Sequence, residues 1–358
     1  MNKNILIIIA DQLSTKSLPF YGNKIAETPN IDRITQKGVS FSRAYTSCPL
    51  CRPARPSIWS GRFPHSTGIL SNNSDQDVSD LPENILTMGE IFSKAGYETR
   101  HFGKRHAAGS LRGFKCESIK EDNIENEINC WPVNYDTKQD RYTTKKVVNF
   151  LESYNNTNQF MVIADLNNPH NICGWVGENK REHKDISVPV KLPPLPDNFQ
   201  VENFEELPLP VKYICCTHTR LSQTQGWTET NFRYYLAAYY HYLSRLDGEV
   251  GLILDALERR NDSEETLIVF LADHGDGIAS HRMVTKHVSF QEQITNIPLV
   301  FAGPGVEEGL CLESPFVLLW IFCLLSVIIV DLNSPNISGE KVCFPGLRKK
   351  EQALHIFM

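Results

Sequence analysis

An α/β fold with a large, mostly parallel sheet flanked by helices is predicted by three observations. Apolar segments of strand length alternate with segments of helical period, the order of a doubly wound sheet. The runs Ile5 to Ala10 and Thr266 to Ala272 are apolar almost throughout, as central parallel strands buried on both faces must be. Asp11, His170 and Asp273 each stand just beyond the carboxyl end of an expected strand, where open α/β sheets place their ligands.

In order along the chain, Ile5 to Ala10 is the first strand. Thr28-Pro29-Asn30-Ile31-Asp32 begins a helix, with Thr28 as N-cap and Pro29 at the first helical position, where its missing N–H costs nothing. Cys51 opens another helix. Thr87 to Ala95 is helical, and Gly96 ends it. Thr99 to Phe102 is a short strand, Tyr142 to Tyr154 an amphipathic helix, and Phe160 to Leu166 a strand. Ile186 to Pro210 is rich in proline and reads as a long surface loop. Asn231 to Arg260 is a long helix, with Gly248 as its breaking point. Thr266 to Ala272 and Ile297 to Ala302 are further strands.

The 358 residues suffice for one large domain or two ordinary ones. A net charge of -6 gives no general basic surface for nucleic acid, so any anionic substrate must meet locally gathered cations. Ten cysteines scattered over this length do not form a disulfide framework. The apolar run at Ile5 is short for a signal sequence and lacks a small-residue cleavage site. That favours the cytoplasm, with the periplasm as the alternative if the gene start is misplaced.

The chemistry gathers in a few short motifs. Asp11-Gln12 and Asp273-His274 offer two carboxylates, an amide oxygen and an imidazole, an oxygen-rich set suited to Ca²⁺, Mg²⁺ or Mn²⁺. Taken singly, each pair more often caps a loop or starts a turn; together, with Cys51 between them in sequence, they favour a metal site. Lys104 and His106, His170, and Lys286 with His281 before it could bind a tetrahedral dianion and protonate its leaving oxygen. A lone histidine is more often structural and a lone lysine merely solvated. Arg105 and Arg282 are left as surface residues.

Cys51-x-Pro53-x-Arg55 followed by Ser60-Gly61-Arg62, Ala10-Asp11-Gln12, Gly103-Lys104-x-His106, Asn168-Pro169-His170 and Asp273-His274-Gly275-Asp276 with Lys286 resemble, in order, the motifs of the type I sulfatases. These are formylglycine-dependent enzymes of the alkaline phosphatase superfamily. The likeness covers about residues 4 to 310. The Asp-Gln and Asp-His pairs resemble the branch holding choline sulfatases, phosphonate monoester hydrolases and bacterial carbohydrate sulfatases. The resemblance implies an alkaline-phosphatase-like sandwich with a C-terminal antiparallel subdomain. It implies that Asp11, Gln12, Asp273 and His274 bind the cation, usually Ca²⁺, together with Cys51. It implies that a formylglycine-generating enzyme oxidises Cys51, whose hydrate attacks the sulfate ester. The second hydroxyl of that diol then expels sulfate. Arg55 would orient the hydrate. Lys104, His106, His170 and Lys286, with His281 nearby, would hold the sulfate, and His170 or Lys286 would protonate the leaving alcohol. The expected substrate is a small sulfated molecule, a carbohydrate before choline sulfate or an aryl sulfate; a phosphonate or phosphate diester is the alternative. Pro56 departs from the small residue usual after the arginine, and is expected to fit within the first helical turn.

Residues 1–315 are expected to form the catalytic domain. Beyond Pro315 the likeness stops, and Phe316 to Val330 is apolar except Ser326. That run is shorter than the roughly 20 residues a membrane span needs, so no membrane association is expected. For one choice of codons, the frame two nucleotides into Leu319 reads Val-Asp-Ile-Leu-Pro-Thr-Leu-Cys-Asp, which resembles the family's own continuation. Residues 316–358 are therefore expected to be an out-of-frame tail replacing the subdomain. An inactive, aggregation-prone product of such a frameshift is the rival expectation.

Overall fold

The computed structural model describes residues 3–72, 80–117, 138–179, 191–200, 204–212, 223–286, 288–313 and 315–317. The strands are β1 (Asn4–Asp11), β2 (Gly38–Phe41), β3 (Ala44–Tyr45), β4 (Glu98–Gly103), β5 (Lys115–Cys116), β6 (Phe160–Pro169), β7 (Thr266–Ala272), β8 (Leu299–Ala302), β9 (Leu310–Leu312) and β10 (Phe316–Val317). Eight of them form one sheet in the order β5-β4-β6-β1-β7-β8-β2-β9, and β10 pairs with β3. Within the sheet all pairings are parallel except those of β8 with β7 and β2. This is the mixed, mostly parallel sheet expected. Every residue of β1 and β6 is buried, which explains their unbroken apolar character.

The helices are α1 (Pro29–Gln36), α2 (Cys51–Ser60), α3 (Pro64–Thr67), α4 (Met88–Lys94), α5 (Lys138–Ser153), α6 (Ile172–Asn179), α7 (Glu229–Glu258) and α8 (Glu292–Thr295). Neighbouring residues of β4 point to opposite faces and so divide the layers. Phe102 meets Phe150 of α5, which packs with α7 on one face. His101 meets Trp59 of α2 on the other.

Three local expectations change. The α7 helix runs unbroken for 30 residues through Gly248. Packing overrides the propensity cost there, because much of the helix is buried on both sides of that glycine. Thr28 precedes α1 but makes no side-chain cap. Asp247 of α7 does so instead, accepting from the N–H groups of Asn30 (3.1 Å) and Ile31 (2.8 Å) and from the Asn30 amide (2.8 Å). Asp247→Ala should cost about 1–2 kcal/mol, read as a lower thermal midpoint; an unchanged midpoint would show that α1 needs no cap from α7. Pro56 is the sixth residue of α2, one turn deeper than expected. The helix continues past it.

Phe316 is buried against Phe41 and Phe301, so ordered packing reaches slightly beyond residue 315. The expectation for the rest of the tail, residues 318–358, lies outside the described residues, as do parts of the loop from Ile186 to Pro210. No helix among the described residues is long and apolar enough to cross a membrane.

Candidate active site

Three adjacent parallel strands end together. Asp11 is the last residue of β1, His170 follows β6, and Asp273 follows β7. The amino end of α2 brings Cys51 to the same place. Its Sγ lies 3.1 Å from Nε2 of His274 and 3.7 Å from Oδ1 of Asp11. Lys104 follows β4 and ion-pairs with Asp11. Its turn requires Gly103, whose φ is 107° and where a Cβ would lie 2.0 Å from the Asp165 carbonyl oxygen. Lys286 arrives from the loop after β7 and donates to Oε1 of Gln12 at 2.8 Å.

Arg55, one turn along α2 from Cys51, is fully buried and binds three carboxylates. Its Nη2 donates to Asp11 (2.9 Å), its Nε to Asp273 (3.1 Å), and its Nη1 to Asp165. Asp165 also accepts from His101 Nε2 at 3.2 Å. Sequence reasoning missed Asp165 and His101, although a signal existed. A carboxylate inside a fully buried apolar strand must have a partner, and Asp165 interrupts such a strand.

Gln12 takes a left-handed backbone (φ 69°), held by several bonds. Its N–H donates to Asp273 Oδ1 (3.1 Å), and its carbonyl accepts from Tyr239 (2.9 Å). Its amide donates to Asp276 Oδ2 at 2.7 Å, and Asp276 is in turn bound by Tyr235. The amide oxygen accepts from Lys286 and, at 3.2 Å, from the Cys173 thiol. Gln12 thus stands beside the ligand cluster with its oxygen turned to these donors. His106 is half-buried and makes no hydrogen bond or ion pair with another described residue. His281 is tied to Asn198, through its N–H at 2.8 Å and its ring at 3.4 Å. The second thiol, Cys48, is shielded from ionising: burial raises its pKa to about 11.

The charges are strongly coupled. Burial alone would raise the Asp11 carboxyl, yet Lys104, His170, Lys286 and Arg55 hold it well below the usual range. Burial and the neighbouring Asp11 push Asp273 up to about 6. Burial opposes the charge on Lys286, but the Cys51 sulfur and nearby acidic groups more than restore it. Burial, with Lys286 and Lys104, depresses His170 to about 4, leaving a neutral imidazole within reach of Cys51. A bound dianion opposes those two lysines and favours the imidazolium, so sulfate binding should take up a proton at His170. NMR titration of its ring should show a midpoint near 4 in the free protein and a higher one with sulfate. An unshifted midpoint would remove His170 from the anion site.

Asp11, Cys51, Asp273 and His274 place one donor atom each within 4.8 Å of one another. His274 Nδ1 donates to the Gly275 carbonyl at 2.9 Å, so Nε2 presents its lone pair to the cluster. Two carboxylates and an imidazole around a buried point fit a divalent cation.

The sulfatase family pattern matches residues 3–313. The chain is 43% identical over 351 residues to the Delta 4,5-hexuronate-2-O-sulfatase of Bacteroides thetaiotaomicron, covering 94% of this chain and 72% of that protein. Human arylsulfatase K is 25% identical over 376 residues, with 94% of this chain and 65% of that protein covered. A solved 2-O GAG sulfatase superimposes with a TM-score of 0.84 at 40% identity, over 96% of this chain and 73% of that one. The phosphonate monoester hydrolase of Agrobacterium radiobacter shares the fold, with a TM-score of 0.71 at 19% identity, over 92% of this chain and 74% of that one. With its motifs in order on this fold, the chain belongs to the sulfatase family of sulfuric ester hydrolases.

Proposed function

We propose that the chain hydrolyses a carbohydrate sulfate monoester, and that a hexuronate 2-O-sulfate is the first substrate to test. The observation that carries this reading is the 43% identity to a hexuronate-2-O-sulfatase over nearly the whole chain. Residues 1–315 are the catalytic part.

In this reading Asp11, Asp273 and His274, with Gln12 at their edge, hold a divalent cation. Calcium is first and magnesium or manganese next, since hard oxygen donors predominate. A bound cation neutralises charge on the sulfate and makes its sulfur a better electrophile. A formylglycine-generating enzyme oxidises Cys51, whose sulfur marks where the nucleophilic oxygens would lie. The amino end of α2 and the Lys104 and Lys286 ammonium groups face the developing negative charge. His106 and His281 extend the anion site outward. His170 donates the proton to the leaving alcohol, because the bound sulfate ester offsets the two lysines that lower its pKa.

The test measures free sulfate from an unsaturated 2-O-sulfated uronate disaccharide, an aryl sulfate and a phosphonate monoester, using protein co-expressed with a formylglycine-generating enzyme. Preferred release from the disaccharide is expected. Faster turnover of the phosphonate, or no release from any sulfated carbohydrate, would overturn the reading.

A further inference from the structure

The buried ion network extends one layer behind the candidate cation site, and that layer has a charge-setting role. Arg55 touches Asp11 and Asp273, both in the donor cluster, and also Asp165, which is not. All four side chains are fully buried. A buried guanidinium cannot shed its charge, so its carboxylate partners must absorb it. Leaving aside Lys104, which also pairs with Asp11, Arg55 shared among three carboxylates leaves two net negative charges. Shared between Asp11 and Asp273 alone, it would leave one, drawn entirely from the groups that face the cation.

The fold explains why Asp165 can serve here. It pairs in register with Gly103, two residues from His101 on the adjacent strand, so both side chains project from the same face toward α2. His101 donates to the same oxygen that Arg55 engages, and Trp59 packs edge-on against the His101 ring, with centroids 6.4 Å apart. The other Asp165 oxygen and His101 Nδ1 have no hydrogen-bond partner among the described residues. The carboxylate is thus committed to Arg55 and His101.

We infer that Asp165, oriented by His101, is a positioning residue that neutralises Arg55 and so leaves the Asp11 and Asp273 charges available to a divalent cation. This rests on the cation reading given above, and calcium binding tests the two separately. Full-length protein is titrated with Ca²⁺ by calorimetry. The Asp165→Asn variant keeps the side chain's shape and removes its charge. It should weaken Ca²⁺ binding by about 10- to 100-fold, the usual effect of an outer-shell partner, while the metal-free melting temperature is held or raised. His101→Leu should weaken binding in the same direction, and His101→Gln, which can still donate to Asp165, should restore it. That pair keeps the test open if Asp165→Asn does not fold. Wild-type protein that binds no Ca²⁺ overturns the cation reading and this inference with it. Wild-type binding with Asp165→Asn and His101→Leu affinities unchanged overturns this inference alone.

Discussion

Arg55→Met should destabilise the protein by about 3–5 kcal/mol, the cost of removing one partner from a buried ion network. The guanidinium is the meeting point of Asp11, Asp165 and Asp273, all fully buried. Without it, Lys104 still pairs with Asp11, but Asp165 keeps only the His101 ring, and Asp273 its backbone donors and the more distant His274 ring at 3.8 Å. Uncompensated carboxylates must then take up protons, so the loss should be greatest at neutral pH and shrink as acid protonates them. Chemical denaturation at several pH values measures this directly. A variant as stable as wild type at neutral pH would show that the network is not ionised as its geometry requires.

Cys51→Ala should behave in the opposite way, folding normally and losing turnover. The sulfur contacts the His274 ring and the Asp11 carboxylate, and neither contact holds an element in place. Replacing it removes the only group at the amino end of α2 that can become the nucleophile. The expected loss in kcat is on the order of 10⁴-fold or more, with a melting temperature close to wild type. Comparable sulfate release by this variant and the parent would mean that another group attacks the ester.

Much of the site was legible because its residues stand at strand ends. Asp11, His170 and Asp273 follow β1, β6 and β7, whose apolar runs are conspicuous, and parallel neighbours deliver their carboxyl ends to one place. Cys51 and Arg55 were legible from the resemblance of Cys51-x-Pro53-x-Arg55 to the sulfatase motif, and four residues along a helix bring both side chains to the same face. The short strands β2, β5 and β9 were not, being two to four residues long and without a pattern that distinguishes them from loop. The Asp247 cap of α1 was invisible because the two residues that meet are more than two hundred positions apart. Asp165 and His101 lie inside strands where only the apolar pattern was being read. A charged or polar side chain at such a position is evidence of a partner, and here the partner is the arginine of the cysteine motif.

The central claim is that Cys51 serves as an oxidised nucleophile beside a cation cluster. Mass spectrometry of the Cys51 peptide, taken from a preparation whose sulfate release has been measured, tests it most directly. The account predicts a peptide mass matching the aldehyde in place of the thiol, in a fraction that rises in step with specific activity. A fully active preparation whose Cys51 remains an intact thiol would contradict it.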